Sequence, residues 1–405
     1  MSMPRAVRHI NEVRALDVVF RHGRISRANI AKELGMVRST ASSIVASLTD
    51  EGLLVEDESQ DDKSAGTGRP GTFVRINPNY GMFIGADIGV GRMNVVALDM
   101  EASVIAQSRS DFSLPEASPD LVVQRLVDVV EGIRERLGND YRIRGLCLTA
   151  PGVIDRNGTI LRAPILGWQE EPILEKLQQR LPDIPLLIAE NDANAFAIAE
   201  VYQSKDESVD TEIYIYLDAG VGGAIMNSGQ LFRGQDGYAG ELGHIILGDE
   251  GFVELATISG SFESFIGREA VLARYRFHGG SAGDIQAFIQ AARQQEKAAL
   301  STLRDWSFYL GRGVATLTSI FNPARIVLGG PVAALFDLCR DETLEKVARN
   351  LLEGHPVPEI KLSTLGLEGP AIGGASMLHK QMFSVDESLV FGRPKTEALR
   401  EKVSD

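Results

Sequence analysis

A carboxylate and an imidazole stand three residues apart in Gly237-Tyr-Ala-Gly-Glu241-Leu-Gly-His244, hemmed by glycines. Glu241 can accept from two hydroxyls, while His244 donates through one ring nitrogen and accepts through the other. Glycine lets backbone come close to a ligand, so the octapeptide suits the clamping of a polyol. Taken alone, it is better read as a glycine-rich turn whose Glu and His are satisfied by solvent or by neighbours. A second polar group, Asn191-Asp-Ala-Asn194, follows the apolar run at 185–189 and opens a helix. There Asp192 is placed to take a proton or a hydrogen bond from a hydroxyl. Asp is also a common helix N-cap, so a purely structural role competes with the chemical one.

The segments that must position these groups are α/β in character. Residues 82–99 read as two strands joined by a glycine turn, and residues 212–226 repeat the arrangement. Both contain Asp-x-Gly-Val-Gly, at Asp87–Gly91 and Asp218–Gly222. Such duplication fits two similar lobes facing each other across a cleft, where small ligands usually bind. Between the turns, 121–137 reads as an amphipathic helix, 143–148 as a buried strand ending at Pro151-Gly152, and 174–181 as a helix. Beyond His244, helices are expected around 262–275, 285–292 and 297–321, then a strand at 325–328 and a helix at 371–382.

The first 80 residues differ in kind. Ile10, Val13, Leu16, Val19 and Phe20 have helical spacing, Ser26 is a fair N-cap for a short helix, and Gly35 ends it. A tight turn leads to a second helix with Ala41, Ile44, Val45 and Leu48 on one stripe, which is helix-turn-helix spacing. Its other face offers Arg38, Ser39, Thr40, Ser42 and Ser43, polar groups suited to base edges and phosphates. A plain helical hairpin with a solvated face is the competing reading. Residues 1–50 hold eight basic groups against four acidic ones, whereas the whole chain of 405 residues has a net charge of −14. A basic head on an acidic body follows. Short extended pieces at 53–55 and 72–76 flank a Gly-, Pro- and Ser-containing stretch, which reads as a long wing with Arg69 at a slim basic tip, or equally as a flexible linker.

No apolar run approaches the length of a membrane span and the N-terminus lacks the apolar core of a signal peptide, so a cytoplasmic protein is expected. Two cysteines, Cys147 and Cys339, cannot build a disulfide framework and lie in apolar segments suited to buried thiols.

In order along the chain, Asp87–Gly91, Pro151–Asp155, Asn191–Asn194, Glu241–His244 and Ile326–Gly330 resemble the signature segments of the ROK family of bacterial sugar kinases and sugar-responsive repressors. The resemblance covers nearly the whole chain, including a DNA-binding head that the repressors carry and the kinases lack. It implies an N-terminal winged helix-turn-helix (1–80) followed by an actin-like, ribonuclease H-like two-lobed body. Lobe 1 would span 81–200, completed by 370–405, and lobe 2 would span 201–369. It also implies an effector site of Asn191, Asp192, Glu241, His244 and Glu254, with Glu263 as a substitute for Glu254.

The departures from the family are informative. Kinase members carry a threonine and a lysine where this chain has Gly91 and Arg92. Their second turn reads Gly-Thr-Gly, against Asp218-Ala-Gly here, which removes a hydroxyl donor and sets a carboxylate where a triphosphate needs donors. The family's zinc-binding cysteine loop after the histidine is missing, so neither zinc nor another cofactor is expected. Ile165 replaces an asparagine that hydrogen-bonds a sugar hydroxyl in many relatives. The expectation is a DNA-binding regulator, a repressor, whose body binds a sugar or sugar derivative, which binds double-stranded operator DNA and forms a homodimer or higher homo-oligomer. The alternatives are a ROK-type sugar kinase with Asp192 as general base, and a regulator without ligand response.

Overall fold

The computed structural model describes residues 3–57, 72–112, 118–138, 141–204, 210–254 and 258–384. The head consists of α1 (Met3–His22), β1 (Ile25–Ser26), α2 (Arg27–Glu33), α3 (Arg38–Asp50), β2 (Leu54–Asp57) and β3 (Phe73–Ile76), with strand order β1-β3-β2. The Ser26 hydroxyl accepts from Asn29 N at 3.2 Å and so caps α2, while Gly35 at φ 63° turns the chain into α3. Ile30, Ile44, Val45 and Leu48 bury their side chains with Leu16 and Val19 of α1. This is a helix-turn-helix with an antiparallel wing. Helix α1 begins earlier than its apolar stripe, which starts only at Ile10. The wing tip with Arg69 lies outside the described residues.

Lobe 1 is built from β4 (Met82–Gly89), β5 (Arg92–Leu98), β6 (Val104–Asp111), α4 (Pro119–Leu137) and β7 (Ile143–Ala150). A small sheet follows, made of β8 (Val153–Ile154), β9 (Ile160–Ala163) and β10 (Trp168–Glu171), and then α5 (Ile173–Arg180), β11 (Leu187–Asn191) and α6 (Asp192–Gln203). Its main sheet runs β11-β7-β4-β5-β6. Lobe 2 follows with β12 (Thr211–Leu217), β13 (Val221–Asn227), β14 (Gln230–Leu231), α7 (Glu263–Ile266), α8 (Arg268–Phe277), α9 (Ile285–Arg293) and α10 (Lys297–Phe321). It continues with β15 (Arg325–Gly329), α11 (Arg340–Asn350) and β16 (Glu359–Leu362), in sheet order β14-β13-β12-β15-β16. The two sheets repeat one plan, an antiparallel hairpin (β4–β5, β12–β13) whose first strand pairs in parallel with a later one (β7, β15). The duplicated Asp-x-Gly-Val-Gly segments are the two hairpin turns. The single helix expected around 262–275 is broken at Gly267, an extended residue between α7 and α8.

Helix α12 (Gly369–Met382) lies in the first lobe. A Cβ at Gly85 of β4 would meet Ala371 O at 1.8 Å, and one at Gly373 would meet Ala195 O of α6 at the same distance. Only glycine allows these approaches, so α12 packs flush on both β4 and α6. The end of this helix pair seats the head. Phe20 of α1 has its ring centroid 6.3 Å from Tyr202, 5.0 Å from His379 and 4.9 Å from Phe383. His379 Nε2 donates to Met100 O at 2.9 Å, and its Nδ1 accepts from the Tyr202 hydroxyl. Burial lowers the His379 pKa to about 4, so the ring is neutral at ordinary pH, as these two bonds require.

Candidate functional site

Between the lobes lies a cleft of about 470 Å³, and its floor is made by the two hairpin turns. Gly91 takes φ 72° and lets the chain reverse, so that Arg92 folds back over Gly89, where a Cβ would meet the guanidinium carbon at 3.0 Å. Arg92 Nη2 lies 2.6 Å from Asp218 Oδ2 of the opposite turn and donates to the Tyr216 hydroxyl at 3.4 Å. Arg268 closes on the same carboxylate from lobe 2, Nη1 to Oδ1 at 3.3 Å, while its backbone N–H donates to Asp218 O. The phosphate repulsion expected of a bare Asp218 is therefore not what the cleft presents. The carboxylate is neutralised, and the ion pair itself spans the two turns. Beside it, Asp87 accepts from Thr149 Oγ1 at 3.1 Å, and burial raises its pKa to about 6 against the pull of Arg92.

On the wall formed by α6 the cap and the cleft-lining carboxylate are different residues. Asn191, not Asp192, is the N-cap: its Oδ1 accepts from Ala193 N at 2.9 Å and Asn194 N at 3.1 Å, and its Nδ2 donates to Gly152 O at 3.0 Å. Asp192 becomes the first helical residue and lines the cleft, with Oδ1 accepting from Ala193 N at 2.9 Å. Gly222 of β13 permits this placement, because a Cβ there would sit 2.7 Å from Ala193 Cβ. Burial raises the Asp192 pKa to about 7, and the charge of Asp87 adds to the effect.

Glu241 and His244 come from the glycine-rich segment, whose 3-10 turn Leu242–His244 lies against β13; a Cβ at Gly243 would meet Val221 O at 2.0 Å. His244 Nδ1 is 3.4 Å from Glu241 Oε2, and Nε2 is 3.6 Å from Glu263 Oε1. The bond to Glu263 raises the pKa of His244, while burial raises that of Glu241. Asn191, Asp192, Glu241 and His244 thus share one cleft. Glu254 does not join them: it is exposed and off the lining, and the buried Glu263 at the start of α7 takes that place. The segment from Gly248 to Glu254 has no cysteine, and Cys147 and Cys339 are buried in separate cores. Ile165 reaches across from lobe 1, its Cδ1 2.7 Å from where a Cβ on Gly220 would be.

Residues 83–381 match the sequence model of the ROK family. The chain belongs to the ROK family. It is 27% identical to the xylose repressor of Bacillus spizizenii over 94% of this chain and 97% of that protein. It is also 27% identical to the glucokinase of Halalkalibacterium halodurans, which takes in 75% of this chain and 97% of the kinase. Among solved structures, a ROK family transcriptional regulator, a homolog of the E. coli MLC protein, superposes with TM-score 0.76 at 22% identity over 93% of this chain and 97% of that one. A ROK glucokinase from Streptomyces griseus in complex with glucose and AMPPNP gives TM-score 0.63 at 26% identity over 73% of this chain and 99% of its own.

In this ROK chain the outer face of α3 carries Arg38, Ser39, Thr40 and Ser43 exposed and Ser42 half-buried. At the wing root, Arg24 pairs with Asp57 at 3.0 Å and Arg27 with Glu56 at 2.6 Å. Those two cations are held by the head's own carboxylates, whereas Arg38 makes no ion pair among the described residues and stands exposed at the start of α3.

A pH dependence follows from Asp192. Its pKa is about 7 in the folded protein against 3.8 ordinarily, so between those values the folded state holds a proton that the unfolded state has lost. Stability therefore falls as pH rises across that window and levels above about 7. Asp192→Asn removes the titration and keeps an oxygen for Ala193 N. The stability of the variant relative to wild type, from urea unfolding at successive pH values, is expected to climb from about pH 4 to about pH 7 and then flatten. A difference independent of pH would show that Asp192 titrates normally.

Proposed function

We propose that the protein is a sugar-responsive transcriptional repressor: the head binds duplex operator DNA, and the cleft binds a sugar or sugar derivative that releases it. The observation that carries this reading is the presence, in one continuous packing, of a helix-turn-helix with a clear polar face and a ROK cleft holding Asp192, Glu241, His244 and Glu263. The xylose repressor of Bacillus spizizenii matches 94% of this chain, head and body included, whereas the glucokinase of Halalkalibacterium halodurans matches 75% of it. Asp192 and Glu241 accept from sugar hydroxyls, His244 donates, Glu263 does what the sequence assigned first to Glu254, and Asn191 holds the loop at Gly152 in place.

Catalysis is the weaker reading because phosphoryl transfer depends on phosphates seated between the two turns. Arg92 and Asp218 already join across that space. With no phosphate to receive, Asp192 remains an acceptor for the hydroxyl it would otherwise deprotonate.

Helix α6 gives the route from sugar to DNA. Its first residue is Asp192 in the cleft, and its last turn carries Tyr202, on which Phe20 of the head is stacked. Twelve residues of helix span about 18 Å as one rigid rod, and a sugar that draws the Asp192 end towards lobe 2 tilts the seat of the head at the other. In a homodimer this changes the spacing of two recognition helices relative to two operator half-sites.

Arg38→Ala tests the DNA face. The variant is expected to bind a duplex selected by the wild type from a random library about tenfold or more weakly, with a salt dependence of binding shallower by about one unit if Arg38 meets a phosphate. Fluorescence anisotropy across a salt series reads both. Unchanged affinity in a folded variant would remove α3 as the recognition helix.

A further inference from the structure

The cleft carries two chemically different sets of groups. One set is Asp192, Glu241, Glu263 and His244, the groups that suit hydroxyls. The other comes from the small sheet and the turn within it, Val153, Leu161, Pro164 and Ile165, with Arg162 among them. Arg162 is exposed, and among the described residues its guanidinium makes no hydrogen bond and no ion pair. The neighbouring arginines are all engaged, Arg92 and Arg268 with Asp218 and Arg233 with Glu190.

Arg162 is also firmly mounted. It is the third residue of β9, paired on one side with Val153 of β8 and on the other with Gln169 of β10. The Pro151-Gly152 loop is pressed on its backbone: a Cβ at Gly152 would meet Arg162 O at 2.2 Å, and Gly152 O is held by Asn191 Nδ2. One capping side chain therefore ties the β9 strand to the start of α6, beside Asp192. Arg162 and His244 both line the cleft, so the two groups border one ligand space.

From these observations we infer that the effector is an acidic sugar, with its hydroxyls on the Asp192, Glu241, Glu263 and His244 side and its anionic group paired with Arg162. This rests on the cleft being the effector site. Where Ile165 withholds a hydroxyl partner, the fixed cation offers a partner for charge. A planar guanidinium matches a carboxylate with two parallel N–H···O bonds and matches a phosphate equally well, so a sugar acid and a sugar phosphate share the recognising chemistry. A neutral sugar would leave Arg162 with water alone. His244, whose pKa is raised by Glu263, offsets part of the charge of Glu241 and Glu263.

The test uses the full-length protein and five probes, D-glucose, D-xylose, D-glucuronate, D-gluconate and glucose 6-phosphate, by isothermal titration at low and high salt. In the wild type at least one anionic probe is expected to bind about tenfold or more tightly than D-glucose and D-xylose, and to weaken with salt. Arg162→Gln is expected to remove that preference by weakening the anionic probes far more than the neutral sugars, while Arg162→Lys retains part of it. Tighter binding of glucuronate or gluconate identifies a sugar acid, and tighter binding of glucose 6-phosphate identifies a phosphate. Neutral sugars binding as well as the acids, or an acid preference that survives in Arg162→Gln, would overturn the inference while leaving the sugar-binding reading intact. Binding of none of the five would count against both.

Discussion

Replacing Arg92 by alanine is expected to destabilise the protein by about 3 kcal/mol, the low end of the cost of stranding one charge of a buried pair. Both side chains are buried, 8% and 12% exposed, and the 2.6 Å contact joins residues from opposite lobes. The cost lies at the low end because Arg268 stays at 3.3 Å and goes on neutralising Asp218. Burial raises the pKa values of Asp87 and Asp192 and Arg92 opposes that rise, so its loss leaves Asp87, Asp192 and Asp218 with less compensation. Adding Asp218→Asn to Arg92→Ala is expected to cost less than the sum of the two single changes, because the pair is already broken in Arg92→Ala. Urea midpoints of the wild type, both single variants and the double variant measure the coupling. A midpoint unchanged in Arg92→Ala would mean that the two turns are held together by other contacts and that the pair contributes nothing.

A second large effect is expected in the cleft. Asp192→Ala or Glu241→Ala should weaken the effector about tenfold to a hundredfold, since hydrogen bonds to charged groups contribute about 1.5–3 kcal/mol each. Operator binding without effector should be unchanged, because neither side chain contributes to the packing of the head. Phe20→Ala is the counterpart: effector affinity and basal operator affinity are both retained, while the effect of one on the other is lost. Phe20→Leu should restore part of it. If Asp192→Ala disturbed DNA binding as strongly as sugar binding, Asp192 and Glu241 would be supports of the fold rather than ligand groups. If Phe20→Ala answered sugar like the wild type, the route along α6 would be excluded.

Local signals carried much of this architecture in the sequence. Ser26 and Gly35 bound the first helix of the helix-turn-helix because capping and left-handed backbone depend on single residue types. The 25-residue α10 was legible from end to end through its apolar period. The repeated Asp-x-Gly-Val-Gly turns disclosed two lobes because each stands between apolar strands. Features set by tertiary contact were hidden. Strands β8, β9 and β10 are two to four residues long and carry no alternation. The pairing of Arg92 with Asp218 joins positions 126 residues apart in the sequence, and nothing local announces it. Capping by Asn191 rather than Asp192 was decided by one residue, within the ordinary error of helix boundaries. Glu254 was preferred to Glu263 because the missing cysteine loop removes the marker that fixes the spacing, and only the fold shows which carboxylate returns to His244.

The claim that sugar in the cleft governs DNA in the head is tested most directly by titrating a fluorescent operator duplex, selected by the protein from a random library, at constant ionic strength with and without the sugar that binds tightest. The account predicts that saturating sugar weakens operator binding about tenfold or more, within the usual span of coupling between sites, and that Asp192→Ala requires a correspondingly higher sugar concentration for the same release. Operator affinity indifferent to a sugar that demonstrably occupies the cleft, or ATP-dependent phosphorylation of that sugar at about 1–100 per second, would contradict it.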